Sequence, residues 1–382
     1  MSLRIAQLGM KKIPSREGGI EIVVEELAAR MAAKGHKVTC YNRSTHHVSG
    51  RDFDTGKVKE YRGVRVKYVP TLDKKGLAAV TSAFFASVCA AFGSYDVVHI
   101  HAEGPAFMCW LPRLLGKKVI VTVHGLDHKR AKWGRFASAF IMMGEKNAVR
   151  FANEIIVLSK GVQEYFEKTY GRKTVLIPNG VNKPDIKEDK EIAEKFGLKK
   201  DEYLLFLGRL VPEKGVKYLI EAFKKTDAAK KLVIAGGSSD SQGFVEELKA
   251  LADGDERILF TGFVQGILLE ELYSNAYLYI LPSDLEGMPL SLLEAMSYGN
   301  ACLTSDIEEC AAVMEDHGVT FRKGDVNDLA EKLQLLCDDG ETVNRYKNEA
   351  SGFICGKYNW DDVTDRTIRL YESLIRKKRT EK

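Results

Sequence analysis

Short, uninterrupted runs of β-branched and aliphatic residues recur along the chain, each followed by a stretch of helical period. Val97-Val98-His99-Ile100, Val119-Ile120-Val121-Thr122-Val123, Glu154 to Leu158 and Val175-Leu176-Ile177 place apolar side chains at consecutive rather than alternate positions. Strands of that kind need cover on both faces, which a parallel sheet flanked by helices provides. The series opens with a strand from Leu3 to Leu8 and a loop carrying Gly18-Gly19. A helical period from Ile20 to Ala33 (Val23, Val24, Leu27, Met31) and a strand from Lys37 to Tyr41 follow. Strand, helix and parallel strand make a crossover unit, so the pattern predicts an α/β chain of doubly wound parallel sheets.

A second series begins after the polar stretch Lys183 to Asp201, where a short helix is expected around Lys190–Phe196. Its strands are Tyr203–Leu207, Leu232–Ala235, Ile258–Phe260, Leu278–Leu281 and Ala301–Thr304. With 382 residues the chain is too long for one core, since single cores rarely outgrow ~250–300 residues. Two Rossmann-like domains are predicted, 1–182 and 183–358. A last helix in 359–382 is placed to cross back to the first domain. Two such domains are expected to face a cleft, with ligands outside the carboxyl ends of the strands. Gly76 to Phe92 is apolar and uncharged but spans 17 residues and contains Thr81, Ser82 and Ser87. That is the short limit for a membrane span of ~17–25 residues, and a helix buried on the sheet is expected instead.

At 45% hydrophobic and 29% charged residues, collagen-like, mucin-like and wholly disordered readings are excluded. Seven scattered cysteines without a C-x-x-C pair predict neither a disulfide scaffold nor a zinc knuckle. The start, Met1 to Gly9, lacks the pattern of a secretory signal. A cytoplasmic location is expected. Residues 1–182 hold 29 basic and 15 acidic side chains, a net +14, leaving 28 and 38 in the remainder, a net −10. A basic first half suits nucleic acid, an anionic membrane surface or an anionic substrate, or else cations that only solvate helix faces.

The most specific stretch runs from Ser283 to Met296. Glu286 precedes a helix whose first residue is expected at Pro289, where a missing N–H costs nothing, and Glu294 falls in its second turn. Amides of Gly287, Met288 and Leu290 would gather at the helix start, an anion site backed by the dipole, and Gly287 lets a ligand close to the backbone. Glu294 suits a ribose diol. Alternatively, both glutamates only favour the helix N-terminus, worth ~0.3–1 kcal/mol each. After the strand Tyr203–Leu207 come Arg209 and Lys214, one a planar fork for phosphate oxygens and the other a mobile point charge. In the first half, His124 ends a strand, as a group for a sugar hydroxyl or for handling the acceptor proton. Asp127 follows it. Gly18 and Gly19, with Glu21 beyond them, lie at the loop into the first helix without forming a G-x-G-x-x-G fingerprint.

Glu286-Gly-Met-Pro-Leu-Ser-Leu-Leu-Glu294-Ala-Met-Ser-Tyr-Gly299 resembles the E-x7-E signature of retaining GT-B glycosyltransferases of family 4. Gly208-Arg209-Leu210 with Glu213-Lys214-Gly215, and Ile177-Pro178-Asn179-Gly180-Val181, are similar to further hallmarks of that family. The resemblance covers nearly the whole chain. The opening Pro14 to Glu21 and the segment Ser305-Asp306-Ile307 are similar to a subgroup of rhamnosyl- or glucosyltransferases of bacterial surface-polysaccharide assembly. It implies that Arg209 and Lys214 hold the donor diphosphate and that Glu294 holds the ribose. Glu286, the segment Gly287 to Leu290 and the loop at Gly18-Gly19 would contact the donor sugar, and His124 would sit near the reacting carbon. Glu21 and Asp127 are acceptor-side candidates. The chain departs from the family after Asp306, where Ile307-Glu308-Glu309-Cys310 replaces a Gly-Gly pair.

The resemblance further implies metal-independent hexosyl transfer with no cofactor beyond the nucleotide-diphosphate sugar itself, the acceptor being a sugar or lipid-linked sugar. Lipid-linked acceptors suggest peripheral contact of the basic half with the inner face of the cell membrane, and His128 to Phe136 mixes cations with aromatics as an interfacial segment does. No nucleic-acid motif is present. A nucleotide-sugar epimerase and a non-catalytic nucleotide-sugar-binding protein are the alternatives.

Overall fold

The structure, a computed structural model, describes residues 1–46, 56–74, 76–129, 134–237 and 242–380. The chain divides into two compact units, one of 1–180 with 360–382 and the other of 181–359. Among the described residues each unit is built on one sheet.

The strands of unit 1 are β1 (Arg4–Leu8), β2 (Lys37–Arg43), β3 (Glu60–Tyr61), β4 (Val64–Val69), β5 (Val97–His101), β6 (Lys118–Val123), β7 (Glu154–Val157) and β8 (Val175–Leu176). They lie in the order β3-β4-β2-β1-β5-β6-β7-β8. All neighbours run parallel except the edge hairpin β3–β4. That hairpin was absent from the expected strands. It turns on Arg62-Gly63, both at positive φ, the backbone of a tight two-residue turn. Unit 2 contains β9 (Tyr203–Leu207), β10 (Lys231–Ala235), β11 (Ile258–Gly262), β12 (Leu278–Leu281), β13 (Ala301–Ser305) and β14 (Val319–Phe321). Their order is β11-β10-β9-β12-β13-β14, and every neighbouring pair is parallel.

In both units the strand order reverses beside the first strand, between β1 and β5 and between β9 and β12. Doubly wound sheets bind ligands outside the strand ends at that switch point. The continuous apolar runs are explained by burial: Val97, Val98, Ile100, Val119, Ile120, Val121, Val123, Ile155 and Val157 are all inaccessible to solvent.

Helix Leu77–Phe92 corrects the expectation of a buried helix. Its small-residue face (Ser82, Ala83, Ala86, Ser87, Ala90, Ala91) is buried, and Ala86 and Ala90 join the sheet's core, while Leu77, Phe84, Phe85 and Phe92 are exposed. Small side chains let the helix approach the sheet closely, which turns the bulky ones outward. No described helix is long and apolar enough to cross a membrane.

The last helix, Trp360–Thr380, belongs to unit 1. Trp360, Tyr371 and Leu374 are buried, and Arg30–Asp361 (3.1 Å) and Lys34–Asp365 (2.7 Å) tie it to helix Gly19–Ala33. A Cβ on Gly180 would stand 2.7 Å from Trp360 atoms, so the glycine of Ile177-Pro178-Asn179-Gly180-Val181 allows this packing.

Candidate active site

In unit 2 two loops leave adjacent strands at the switch point: 208–215 after β9 and 282–289 after β12. Backbone contacts join them. Asp284 N–H donates to Glu213 O at 2.9 Å, and Tyr218 shares its hydroxyl proton between Pro282 O (2.6 Å) and Asp284 Oδ1 (2.7 Å). Burial, with Asp284 beside it, pushes the Tyr218 hydroxyl up, so it stays a donor. Gly215 has φ +68° and its missing Cβ would lie 1.9 Å from Pro282 O, so only glycine permits the loops to meet here.

This stapling brings Lys214 and Glu286 together. Lys214 Nζ lies 2.5 Å from Glu286 Oε1, with both side chains largely buried. Ser283 donates to the same carboxylate oxygen at 2.6 Å, and Ser305 Oγ holds the Ser283 carbonyl at 2.5 Å. Sequence reasoning found Lys214 and Glu286 but neither their pairing nor the two serines and Tyr218 that fix them. Arg209 is half-buried on the first loop and has no ion-pair partner among the described residues. Leu210 N–H donates to Gly237 O at 3.1 Å, so the end of β10 fixes the course of the segment carrying Arg209.

The helix after Glu286 runs Leu290–Ser297, one residue later than expected. Pro289 is its extended cap (φ −74°, ψ 105°), and the Pro289 carbonyl accepts from Leu292 and Leu293 at 3.2 Å each. Gly287 and Met288 are buried in the preceding loop. Glu294 falls in the second turn, and its Oε2 accepts from Tyr273 at 3.3 Å; burial and the Glu294 charge push that hydroxyl up.

In unit 1, His124 follows β6. Its Nε2 lies 3.0 Å from His101 Nδ1, and His101 Nε2 lies 2.7 Å from Gln7 Oε1. Gln7 Oε1 can only accept, so the His101 proton is on Nε2 and its Nδ1 accepts from His124. The chain thereby orients the His124 ring from β5 and β1. Beside it, His99 joins Tyr371 and Thr122, each at 2.6 Å. Burial, and then the nearby His124 charge, holds His99 down to about 3; burial and the neighbouring His99 and His124 hold His101 well below its usual range, so both are neutral. Histidines two apart on one strand face were the missed signal.

The Gly18-Gly19 loop is organised differently from expectation. Gly18 is the extended cap of helix Gly19–Ala33, while the close approach is at Gly9, whose Cβ would lie 2.1 Å from His101 O at φ +110°. Glu21 is buried, and its Oε1 accepts from Lys11 N–H at 2.8 Å, so its carboxylate serves the loop itself. Asp127 begins a short 3-10 turn, and its N–H donates to Glu103 Oε2 at 2.8 Å. Glu103, His128 and Glu145, contributed by three elements, also meet here. Burial, then Glu145 and Asp127, pushes the Glu103 carboxyl up to about 11. Of the proposed interfacial segment His128 to Phe136, residues 130–133 lie outside the described residues; Phe136 is exposed.

Residues 17–183 match Glycosyltransferase Family 4, and residues 188–353 match Glycosyl transferases group 1. The chain is 26% identical to the D-inositol 3-phosphate glycosyltransferase of Xylanimonas cellulosilytica, over 98% of each chain. Its fold is similar to that of sucrose-phosphate synthase from Thermosynechococcus elongatus (TM-score 0.82, 21% identity, 98% of this chain and 99% of that one). It is also similar to the Anabaena protein HepE, solved with UDP and glucose (TM-score 0.80, 16% identity, 97% of this chain and 100% of that one). With both halves matched and two Rossmann-like units in place, the chain is a glycosyltransferase of the group 1 and family 4 type with the GT-B fold.

Proposed function

We propose that this enzyme moves a hexosyl group from a nucleotide-diphosphate sugar to a hydroxyl of a sugar or lipid-linked sugar, with retention at the anomeric carbon, in cell-surface polysaccharide or glycolipid synthesis. The observation that carries the reading is the joining of the Lys214 and Glu286 loops at the β9/β12 switch point, with Arg209 on the same loop as Lys214. Arg209 and Lys214 hold the diphosphate, Glu294 takes the ribose hydroxyls, and Glu286 with the backbone of Gly287, Met288 and Leu290 meets the donor sugar. The solved HepE complex with UDP and glucose supports a donor of this class.

The bond from the anomeric carbon to the diphosphate oxygen breaks and a bond to the acceptor oxygen forms on the same face. The acceptor proton passes to the departing phosphate oxygen. Charge grows on the diphosphate, where the two cations and the helix dipole stabilise it, so the transfer uses neither a metal nor a cofactor. His124, its ring set by His101, hydrogen-bonds the sugar near the reacting carbon, and Asp127 lies on the acceptor side.

The basic composition of the first half, together with exposed Phe84, Phe85, Phe92, Leu114 and Leu115, supports peripheral contact with the anionic inner face of the cell membrane. Free nucleoside diphosphate is measured with and without an acceptor panel, alongside the glycosylated product. Acceptor-dependent release with product of unchanged anomeric configuration is expected. Conversion of the donor without acceptor would instead identify an epimerase, and binding without turnover a non-catalytic protein.

A further inference from the structure

Unit 1 contains a buried group of ligating atoms that the transfer reaction does not use. Glu103 follows β5 directly after Ala102, a non-glycine residue held at φ +75°. Helix Arg135–Phe151 packs onto this turn: a Cβ on Gly144 would lie 2.0 Å from Glu103 O, so a glycine at that point lets the helix approach and brings Glu145 against Glu103. His128 arrives from the 3-10 turn Asp127–Lys129 after β6.

Each glutamate has one oxygen engaged. Glu103 Oε2 accepts from Asp127 N–H at 2.8 Å, and Glu145 Oε1 accepts from Tyr165 at 2.9 Å and from Tyr170. The other oxygen of each, Glu103 Oε1 and Glu145 Oε2, is buried and makes no hydrogen bond, and the same holds for His128 Nδ1. Both glutamate side chains are 0% exposed. These three atoms face one another: His128 Nδ1 lies 3.3 Å from Glu145 Oε2 and 3.7 Å from Glu103 Oε1, and the ligand atoms offered by the three residues lie within 4.8 Å of one another.

We propose that Glu103, His128 and Glu145 bind a divalent transition-metal cation, Zn2+ or Mn2+ by class. One imidazole nitrogen and two carboxylate oxygens suit such an ion better than Mg2+ or Ca2+, which favour all-oxygen sets. Two carboxylates without solvent access are costly to keep ionised side by side, and a dication removes that cost. Asp127 and the two tyrosines act on the remaining carboxylate oxygens and fix the direction of the ligating ones. The ion is structural: it fastens the turn after β6 to helix Arg135–Phe151 and steadies the segment that carries His124. The transfer chemistry does not pass through it.

The full-length protein, stripped by chelator and desalted, is titrated with Zn2+ alone, then with Mn2+ and Mg2+, and scored by bound metal per chain and by Tm. One tightly retained Zn2+ or Mn2+ per chain and a rise in Tm of several degrees are expected, with Mg2+ ineffective. Glu103→Gln and Glu145→Gln should weaken binding by at least the ~10–100-fold that loss of an outer-shell partner costs. Should either fail to fold, His128→Ala, at a partly exposed position, carries the same expectation. Absence of stoichiometric metal, or equal binding by His128→Ala, overturns the site. Glu103→Gln that raises Tm in the metal-free protein while no metal binds the parent would overturn it in favour of a proton shared by the two carboxyls.

Discussion

At the strand ends of unit 2 Lys214 and Glu286 are charged and paired across two loops, whereas at those of unit 1 the buried His99 and His101 are neutral and His101 links Gln7 to His124. Lys214 meets Glu286 directly, and Arg209 stands on the same loop as Lys214. His124, His101 and Gln7 form a line in which each ring sets the proton of the next. Under the proposed function the difference follows from what each side would have to meet. A diphosphate carries fixed charge, so it is best met by cations already in place, and loops stapled by Tyr218 and Gly215 keep them from rearranging. A sugar hydroxyl is neutral and directional, and an imidazole whose ring is oriented by His101 offers it a directed hydrogen bond.

The largest effect to break this contrast is in unit 2. Lys214→Ala should lower kcat by ~10²–10³-fold, the range for removing one preorganised group that stabilises developing charge. Far-UV circular dichroism should stay close to the parent, while Tm falls because Glu286 loses its cation in a largely buried pair. Lys214→Arg should recover only part of the loss, because the planar guanidinium does not reproduce the 2.5 Å contact to Glu286. An unchanged kcat in Lys214→Ala would remove the diphosphate role from this loop.

Glu294→Ala comes next. A carboxylate holding sugar hydroxyls contributes ~1.5–3 kcal/mol per charged hydrogen bond, so donor KM should rise by ~10–100-fold while kcat changes less. Tyr273 would also lose one of its two acceptors, keeping Ser291 O, so Tyr273→Phe is the control: it should leave KM nearly unchanged if Glu294 acts on the donor and not through the tyrosine.

These residues show where the sequence was informative. Consecutive apolar positions in β5 and β6 specify buried parallel strands, and the predicted crossovers hold because burial on both faces leaves little other choice. Lys214 and Glu286 were visible as charged residues at strand ends. Their contact was not, since it depends on the order β9–β12, which no local pattern encodes. The edge hairpin β3–β4 escaped because two-residue strands carry almost no periodicity, and Val64–Val69 alternates in the manner of an edge rather than a core strand. Glu103, His128 and Glu145 lie on a strand end, a turn and a helix, and their spacing matches no local ligand motif.

The third test sharpens the contrast through pH. His99 is held down to about 3 by burial, and His101 well below its usual range, so the unfolded chain binds more protons than the native one as pH falls below ~6.5. Native stability is therefore highest at neutral pH and falls on acidification, by about 1.4 kcal/mol per pH unit from His99 between ~6.5 and about 3, with His101 adding to the loss in the same direction. Unit 2 has no counterpart to this buried pair among its described residues: its one histidine, His317, is partly exposed. Acid should thus melt unit 1 first, followed by tryptophan emission, since Trp110, Trp133 and Trp360 all belong to unit 1. His99→Gln should flatten the slope. Parallel loss of both units with no change in slope would show that the histidines are not its source.

The smallest effect concerns how the last helix is held. Two ion pairs, Arg30–Asp361 and Lys34–Asp365, lie where it meets helix Gly19–Ala33, but Asp361, Lys34 and Asp365 are substantially exposed. Exposed pairs contribute ~0.2–1 kcal/mol, and salt screens them. The helix is held instead by Trp360, Tyr371 and Leu374, with Tyr371 bonded to His99 in the sheet beneath. Asp365→Ala should therefore shift unit 1 stability by less than ~1 kcal/mol, and by less still at high salt. Tyr371→Phe deletes only a hydroxyl yet should cost more, ~1–3 kcal/mol, because it leaves a ring nitrogen of buried His99 without its partner. If Asp365→Ala proves the costlier of the two in urea melts, charge on the surface rather than the bond to His99 anchors the returning helix.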